Sequence, residues 1–325
     1  MRSFKLPAFD IPVPVRSNPH FAAAGASARA WLRAAGLAGN RKLDAERYDE
    51  LLAKMYPRAA EAELEVAICW LTWYFMMDDL LDKQDIATAR HTLAGLAGLM
   101  QGGAKAAPRG PMETLWSRLW PRVAAGASAQ SQRRFLRAQQ AALLSNLEEI
   151  ENRMEQRIPD LFSFVELRRL SGGMRPVFLF NEYASRIELP AAFELDPLHA
   201  TLSDAANDVA CICNDIISYD KEAACGETNN YVTIVQYHMN GGLQEAVDFL
   251  RHLQAARLAC FRHGKARLPA ACRRLRLSPA EQANAERYVE GIAEAIAGLL
   301  DWSLHTPRYL ARPSNLQRSA LVQAG

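Results

Sequence analysis

Trp70-Leu71-Thr72-Trp73-Tyr74-Phe75-Met76-Met77-Asp78-Asp79-Leu80-Leu81-Asp82-Lys83 is an almost wholly apolar segment that ends in three carboxylates. It reads as a core helix, apolar all round. Asp78 and Asp82, spaced i and i+4, share one of its faces. Three carboxylates this close repel one another, and a helix C-terminus is the wrong end of the macrodipole for them. A solvated acidic helix end leaves that repulsion unexplained; bound cations relieve it. Oxygen ligands of this kind suit Mg²⁺, a hard ion that combines a few carboxylates with water and substrate phosphate oxygens.

Outward from this segment the chain reads as helix after helix. From about Ala22 onward Ala, Leu, Glu, Arg and Gln dominate, all good helix formers. No stretch shows the sustained alternation of β-branched residues that marks a strand. Breaks are expected at Gly102-Gly103 through Gly110-Pro111, at Pro159, Gly172-Gly173, Pro190, Gly226 to Asn230, Gly241-Gly242, Pro269 and Pro307. Between them Glu61–Lys83, Ser131–Arg157, Leu198–Glu222 and Pro279–His305 are the longest candidate helices. With no internal repeat, linker or shift of composition, the expectation is an all-α, single-domain bundle of about ten to twelve helices. Pro7, Pro12, Pro14 and Pro19 keep residues 1–20 extended. The domain is expected over residues 21–310, with a tail without fixed structure over 311–325.

Composition narrows the function. The 325 residues carry a net charge of +2 and are 50% hydrophobic, enough for one large core and too balanced for a nucleic-acid partner. The longest apolar run, Val66–Met77, falls short of the about 20 residues needed to cross a bilayer, so no stable membrane insertion is expected. No apolar run follows the first residues, which argues against a secretory signal and for a cytoplasmic enzyme. Six cysteines, at 69, 211, 213, 225, 260 and 272, form no CxxC pair and are expected to be reduced core thiols.

A second polar cluster stands in Asp208-Val-Ala-Cys-Ile-Cys-Asn214-Asp215-Ile216-Ile217-Ser218-Tyr219-Asp220-Lys221-Glu222. Asn214, Ser218 and Glu222 fall at i, i+4 and i+8 along one side of a helix. An amide oxygen, a hydroxyl and a carboxylate make a second oxygen site suited to Mg²⁺, and Lys221 beside them offers a phosphate a point charge. Asn and Ser are mediocre helix formers, and here they follow the very apolar run Val209–Cys213. The 136 positions between Asp78 and Asn214 allow the two helices to face each other across a cavity.

At these residues the chain resembles the class I terpene synthases of bacteria. Asp78-Asp79-Leu80-Leu81-Asp82 looks like their DDxxD motif, and Asn214 to Glu222 matches the NDxxSxxKE form of their second metal motif. The resemblance extends from Asn18-Pro19-His20 to Arg308-Tyr309. It implies Asp78, Asn214, Ser218 and Glu222 as ligands of three Mg²⁺ ions, with Mn²⁺ as an alternative, and gives Asp79 and Asp82 a tuning role as partners of arginines. It further implies Arg168 as the pyrophosphate sensor, with Arg169 as competitor, Ser171 at a linker position that is often Asp, and Gly172 as the effector at a helix break. Arg168, Lys221, Arg308 and Tyr309 would bind the diphosphate. Trp70, Trp73, Tyr74, Phe75, Phe178, Phe180 and Trp302 are candidate pocket aromatics; Tyr74, Phe75 and Trp302 are favoured by their distance to the motifs, and Phe75 is expected to touch no phosphate ligand. The implied reaction is ionisation and cyclisation of an isoprenoid diphosphate, farnesyl diphosphate first. The alternatives are a diterpene synthase acting on geranylgeranyl diphosphate and, further off, a trans-prenyltransferase, which would carry two aspartate-rich motifs. No nucleic-acid partner is implied, and a homodimer is admitted.

Overall fold

The computed structural model describes residues 3–37, 42–100, 108 and 110–310. Among these residues there are helices and no strands. In chain order they are α1 (Phe21–Leu32), followed by a π turn at Arg33–Leu37, α2 (Lys42–Glu46), α3 (Tyr48–Met55), α4 (Glu61–Leu81), α5 (Ile86–Met100), α6 (Pro111–Ala124), α7 (Ala129–Met154), α8 (Leu161–Ser171), α9 (Met174–Ser185), α10 (Ala191–Glu194), α11 (Pro197–Ala223), α12 (Tyr231–Met239), α13 (Leu243–Arg274), α14 (Pro279–His305) and α15 (Pro307–Leu310). Three of these, α2, α10 and α15, are single turns of four or five residues. The tail 311–325 and the glycines at 102 and 103 lie outside the described residues. No helix of the described chain is long and apolar enough to cross a membrane.

The helix ends follow local chemistry. Asp160, Asp196, Asn230 and Ser278 each cap a helix by accepting from backbone N–H groups of its first turn. The expected break at Pro269 does not occur: α13 runs through it for 32 residues. Pro269 forfeits one backbone hydrogen bond. Leu268, Ala271 and Cys272 are buried on either side of it, and α13 makes its most extensive pairing with α11, so packing holds the helix together. Four cysteines, at 69, 211, 213 and 272, are buried as expected; Cys225 is exposed and Cys260 is half-buried at the edge of the core.

The core also corrects the list of pocket aromatics. Trp70 stacks on Phe180 at 4.5 Å, and its Nε1 donates to Gln139 Oε1 at 3.0 Å. Trp73 packs on Trp116 at 4.8 Å and donates to the Met112 carbonyl at 2.9 Å. With their polar atoms satisfied inside the protein, Trp70, Trp73 and Phe180 are packing residues, and fully buried Phe178 lies off the cavity as well. The stripe of α4 that faces the cavity is Leu71, Tyr74, Phe75, Asp78 and Asp82, one side of a helix.

Residues 3–20 contain no helix and pass over α11 and α13. Ser3 bonds the Asp220 carboxylate through its amide and its hydroxyl, Phe4 meets the edge of Tyr219, and Lys5 pairs with Gln244. Buried Asn18 donates to the Tyr56 and Ala59 carbonyls, both at 2.8 Å.

The helix pair α3 and α14 meets backbone to backbone at Gly298. A Cβ there would stand 2.5 Å from the Lys54 carbonyl carbon and 2.7 Å from the Met55 nitrogen. Backbone cannot rotate out of the way as a side chain can. Gly298→Ala should therefore lower stability by about 1–3 kcal/mol or more through overpacking. A urea midpoint equal to that of the parent protein would show that the two helices can slide apart freely.

Candidate active site

α4, α8, α9, α11 and α14 enclose a cavity of about 260 Å³. Asp78 and Asp82 face it from α4, and Asn214, Lys221 and Glu222 from α11. Arg168, Ser171, Gly172 and Gly173 enter where α8 breaks into α9, and Arg308 and Tyr309 close it from α15. The two acidic and amide clusters of the sequence, far apart in the chain, thus share one space. The rest of the wall is largely apolar: Leu51, Met55, Leu71, Tyr74, Phe75, Val177, Leu299 and Trp302. Asp79, one position past Asp78, does not line the cavity, as helical geometry turns it about 100° away.

Arg168 and Arg169 separate cleanly. Arg168 Nη2 donates to Asp215 Oδ1 at 2.5 Å and to Asn214 Oδ1 at 3.2 Å, and Nε reaches the same Asp215 oxygen at 3.1 Å. Arg169 forks instead onto Asp208, at 2.7 and 2.9 Å, where Arg257 also pairs. The cavity-facing arginine is the one the spacing favours. Asp215 is wholly buried and also accepts from the Tyr231 amide at 2.9 Å. Burial lifts its carboxyl to about 6, against the pull of Arg168.

The glycines at the break are required by their neighbours. A Cβ on Gly172 would crowd Cys211 Sγ inside 3.0 Å, and one on Gly173 would meet the Tyr74 hydroxyl at 2.8 Å. Gly173 also has φ +67, a left-handed conformation that favours glycine.

The second motif lies along α11 as spaced. Asn214 Nδ2 donates to the Tyr309 hydroxyl at 3.0 Å, and Glu222 accepts from Asn230 at 2.9 Å. Ser218 between them is fully buried, and its hydroxyl has no hydrogen-bond partner. Lys221 Nζ lies over the Tyr309 ring, 5.8 Å from its centre. Burial, with Arg308 nearby, lowers the Lys221 pKa. Arg308 is caged by the Glu46 carboxylate, by the Tyr48 hydroxyl at 3.1 Å and by the face of Phe75 at 5.3 Å. Phe75 in turn stacks on Tyr48 at 4.5 Å. Phe75 is therefore more than a cavity wall: its ring also supports Arg308, the residue that the resemblance places on the diphosphate side.

Sequence reasoning missed a ring of residues on α7 and the 225–230 turn. Arg153 bridges Asp82 at 3.2 Å and Glu227 at 3.0 Å. Glu149 lines the cavity with Arg168, and burial raises its carboxyl to about 8, against the pull of Arg168. Asp82 rises to about 6, by burial and then by repulsion from Asp78. Asp78 is raised as well, burial again leading, with Arg308, Arg168 and Lys221 opposing. The run Leu147-Glu148-Glu149-Ile150-Glu151 offered no signal for this, since charges at that density read as a solvated face.

Known proteins resemble this chain in sequence and in fold. The family described as terpene synthase family 2, C-terminal metal binding, matches residues 69–259. Pristinol synthase of Streptomyces pristinaespiralis is 33% identical, over 93% of this chain and 84% of its own length. The (−)-β-caryophyllene synthase of Saccharothrix espanaensis, named as cyclizing (2E,6E)-farnesyl diphosphate, is 28% identical over 95% of this chain and 91% of its own. Among solved structures, the linalool/nerolidol synthase from Streptomyces clavuligerus in complex with 2-fluorogeranyl diphosphate superimposes with a TM-score of 0.85 at 25% identity, covering 93% of this chain and all of that one. The family match spans both polar clusters, and the chain belongs to the terpene synthase family.

Proposed function

We propose that this terpene synthase ionises and cyclises farnesyl diphosphate in the cavity between α4 and α11, using Mg²⁺ held by Asp78, Asn214, Ser218 and Glu222. The carrying observation is the division of that one cavity into an oxygen and cation side and a hydrocarbon side. Ser218 supports the metal reading best. A buried hydroxyl without a partner is costly unless something binds it, and it stands between Asn214 and Glu222 on one helix. Among the described residues no three His, Cys, Asp or Glu side chains converge into a closed cage. A ligand set split between two helices suits an ion that keeps water and phosphate oxygens in its shell. A full complement of three ions is part of the proposal.

Bound there, Mg²⁺ supplies Lewis-acid neutralisation of the leaving diphosphate. Arg168 offers a guanidinium fork already oriented by Asp215, and forks match phosphate oxygens. Arg308 and Lys221 add charge from the opposite side, and the Tyr309 hydroxyl adds a hydrogen bond. The apolar wall excludes water from the cation, while the ring of Trp302 offers it a π surface. A volume of about 260 Å³ lies just below the usual range for a ligand cavity, which supports a C15 rather than a C20 chain. The named substrate of the caryophyllene synthase points the same way.

Farnesyl diphosphate should give the highest kcat/KM of geranyl, farnesyl and geranylgeranyl diphosphates, read by gas chromatography of the extract. EDTA should abolish turnover and Mg²⁺ restore it. A higher value with geranylgeranyl diphosphate would overturn the chain length, and turnover in chelator the metal role. Arg168→Lys keeps charge but loses the fork, and should cost about 10²-fold in kcat. Arg169→Lys should chiefly lower the melting temperature, because its partner is Asp208; the reverse ranking would exchange the two roles. Phe75→Leu should raise KM as well as change the products, since Arg308 rests on that ring, whereas Val177→Ala should change products alone. An unchanged KM for Phe75→Leu would remove the ring from the support of Arg308.

A further inference from the structure

α11 carries two parallel stripes. One, Asn214, Ser218 and Glu222, holds the oxygen ligands proposed above. The other, Asn207, Cys211 and Asp215, at i, i+4 and i+8, grips the broken end of α8. A helix leaves its last carbonyls without partners in its own ladder; here the second stripe reaches that of Arg169, while the Arg168 carbonyl also keeps the Gly172 amide at 2.9 Å. Asn207, wholly buried, donates from Nδ2 to the Arg169 carbonyl at 2.7 Å. Cys211 Sγ lies 3.1 Å from Asn207 Oδ1 and 3.6 Å from the Arg168 carbonyl. Its thiol also presses on the main chain of Gly172, where no Cβ fits.

We propose that Asn207 and Cys211 are positioning residues: together they dock the end of α8 on α11 and so fix Arg168 and the Gly172 main chain against the reacting end of the substrate. This rests on the reading that Arg168 and Gly172 face the diphosphate. The contacts divide the work. Asp215 aims the guanidinium, Asn207 fixes the carbonyl of the following residue, and Cys211 fills the space that Gly172 leaves. The same helix then holds metal ligands and sensing arginine in one rigid register, so a shift of α8 relative to α11 would misplace one against the other. Misplacement of about 1 Å can cost about 10²-fold in rate. Cys211 also faces the cavity, and burial pushes its thiol up to about 12, which keeps it in the neutral, weakly nucleophilic form beside a carbocation.

The experiment is a double-mutant cycle with farnesyl diphosphate and Mg²⁺, reading kcat, KM, product distribution and melting temperature. Gly172→Ala should lose about 10²-fold in kcat. Adding Cys211→Ala to it should recover part of that loss, several-fold, because the thiol is the nearer of the two groups a Cβ would meet, the other being the Arg168 carbonyl at 2.9 Å. Asn207→Leu and Cys211→Ala alone should lower kcat more than they raise KM, and shift products toward acyclic and early-quenched species. Cys211→Ser, which keeps a donor, should recover most of what Cys211→Ala loses. Were Asn207→Leu not to fold, the Gly172 and Cys211 cycle carries the test by itself. Arg168→Lys separates the two levels. If it is impaired while Asn207→Leu and Cys211→Ala match the parent in rate and products, or the double variant is no better than Gly172→Ala, the dock is overturned. If Arg168→Lys itself turns over normally, the reading of the cavity fails instead.

Discussion

The ion pair between Arg168 and Asp215 is the contact on which the rest of the site depends. Asp215 has no exposure and takes three donors, two from the guanidinium and one from the Tyr231 amide. One carboxylate thereby ties α8, α11 and the start of α12 together. A buried pair of this kind contributes little net stability, but removing one partner costs about 3–5 kcal/mol because a charge is left stranded. Its value here is directional. With both Nε and Nη2 committed to Asp215, the guanidinium has one orientation at the cavity wall.

Around that pair, charge is kept in uneasy balance. Asp78, Asp82, Glu149, Glu222 and Glu227 meet Arg153, Arg168, Lys221 and Arg308 within one cavity wall. Burial raises the carboxyls of Asp78, Asp82 and Glu149 and lowers the ammonium of Lys221, so burial opposes charge on each of them, and Glu149, at about 8, is largely protonated at neutral pH. A polyanion arriving with divalent cations satisfies both signs at once. That is a physical reason for substrate and metal to enter as a unit.

The sequence was most legible where one helix carries several informative residues. Asp78 with Asp82, and Asn214 with Ser218 and Glu222, are set by the helical repeat alone, and the structure places each pair or triplet on one side of its helix. The all-α class was readable for the same reason. Legibility failed where a role depends on what lies opposite. Trp70 and Trp73 are as aromatic as Tyr74 and Phe75, yet only the direction of α4 relative to α6, α7 and α9 decides which pair packs and which faces the cavity. Glu149 and Arg153 belong to the site only because α7 turns that stripe inward. Pro269 looked like a stop because its cost is local, while the packing of α13 on α11 that outweighs it involves residues more than forty positions away.

The position of Arg308 and Tyr309 has a consequence for how the protein comes into being. Their partners are Glu46, Tyr48, Phe75 and Asn214, all far earlier in the chain, and Ser3 is likewise fastened to Asp220. These are contacts of very high sequence separation, the kind that form late because loop closure must precede them. During vectorial synthesis α4 and α11 emerge and can pack before residue 308 exists. The nascent chain then holds both polar clusters without Arg308, and under the proposed function competence to ionise a substrate arrives only with the last described helical turn.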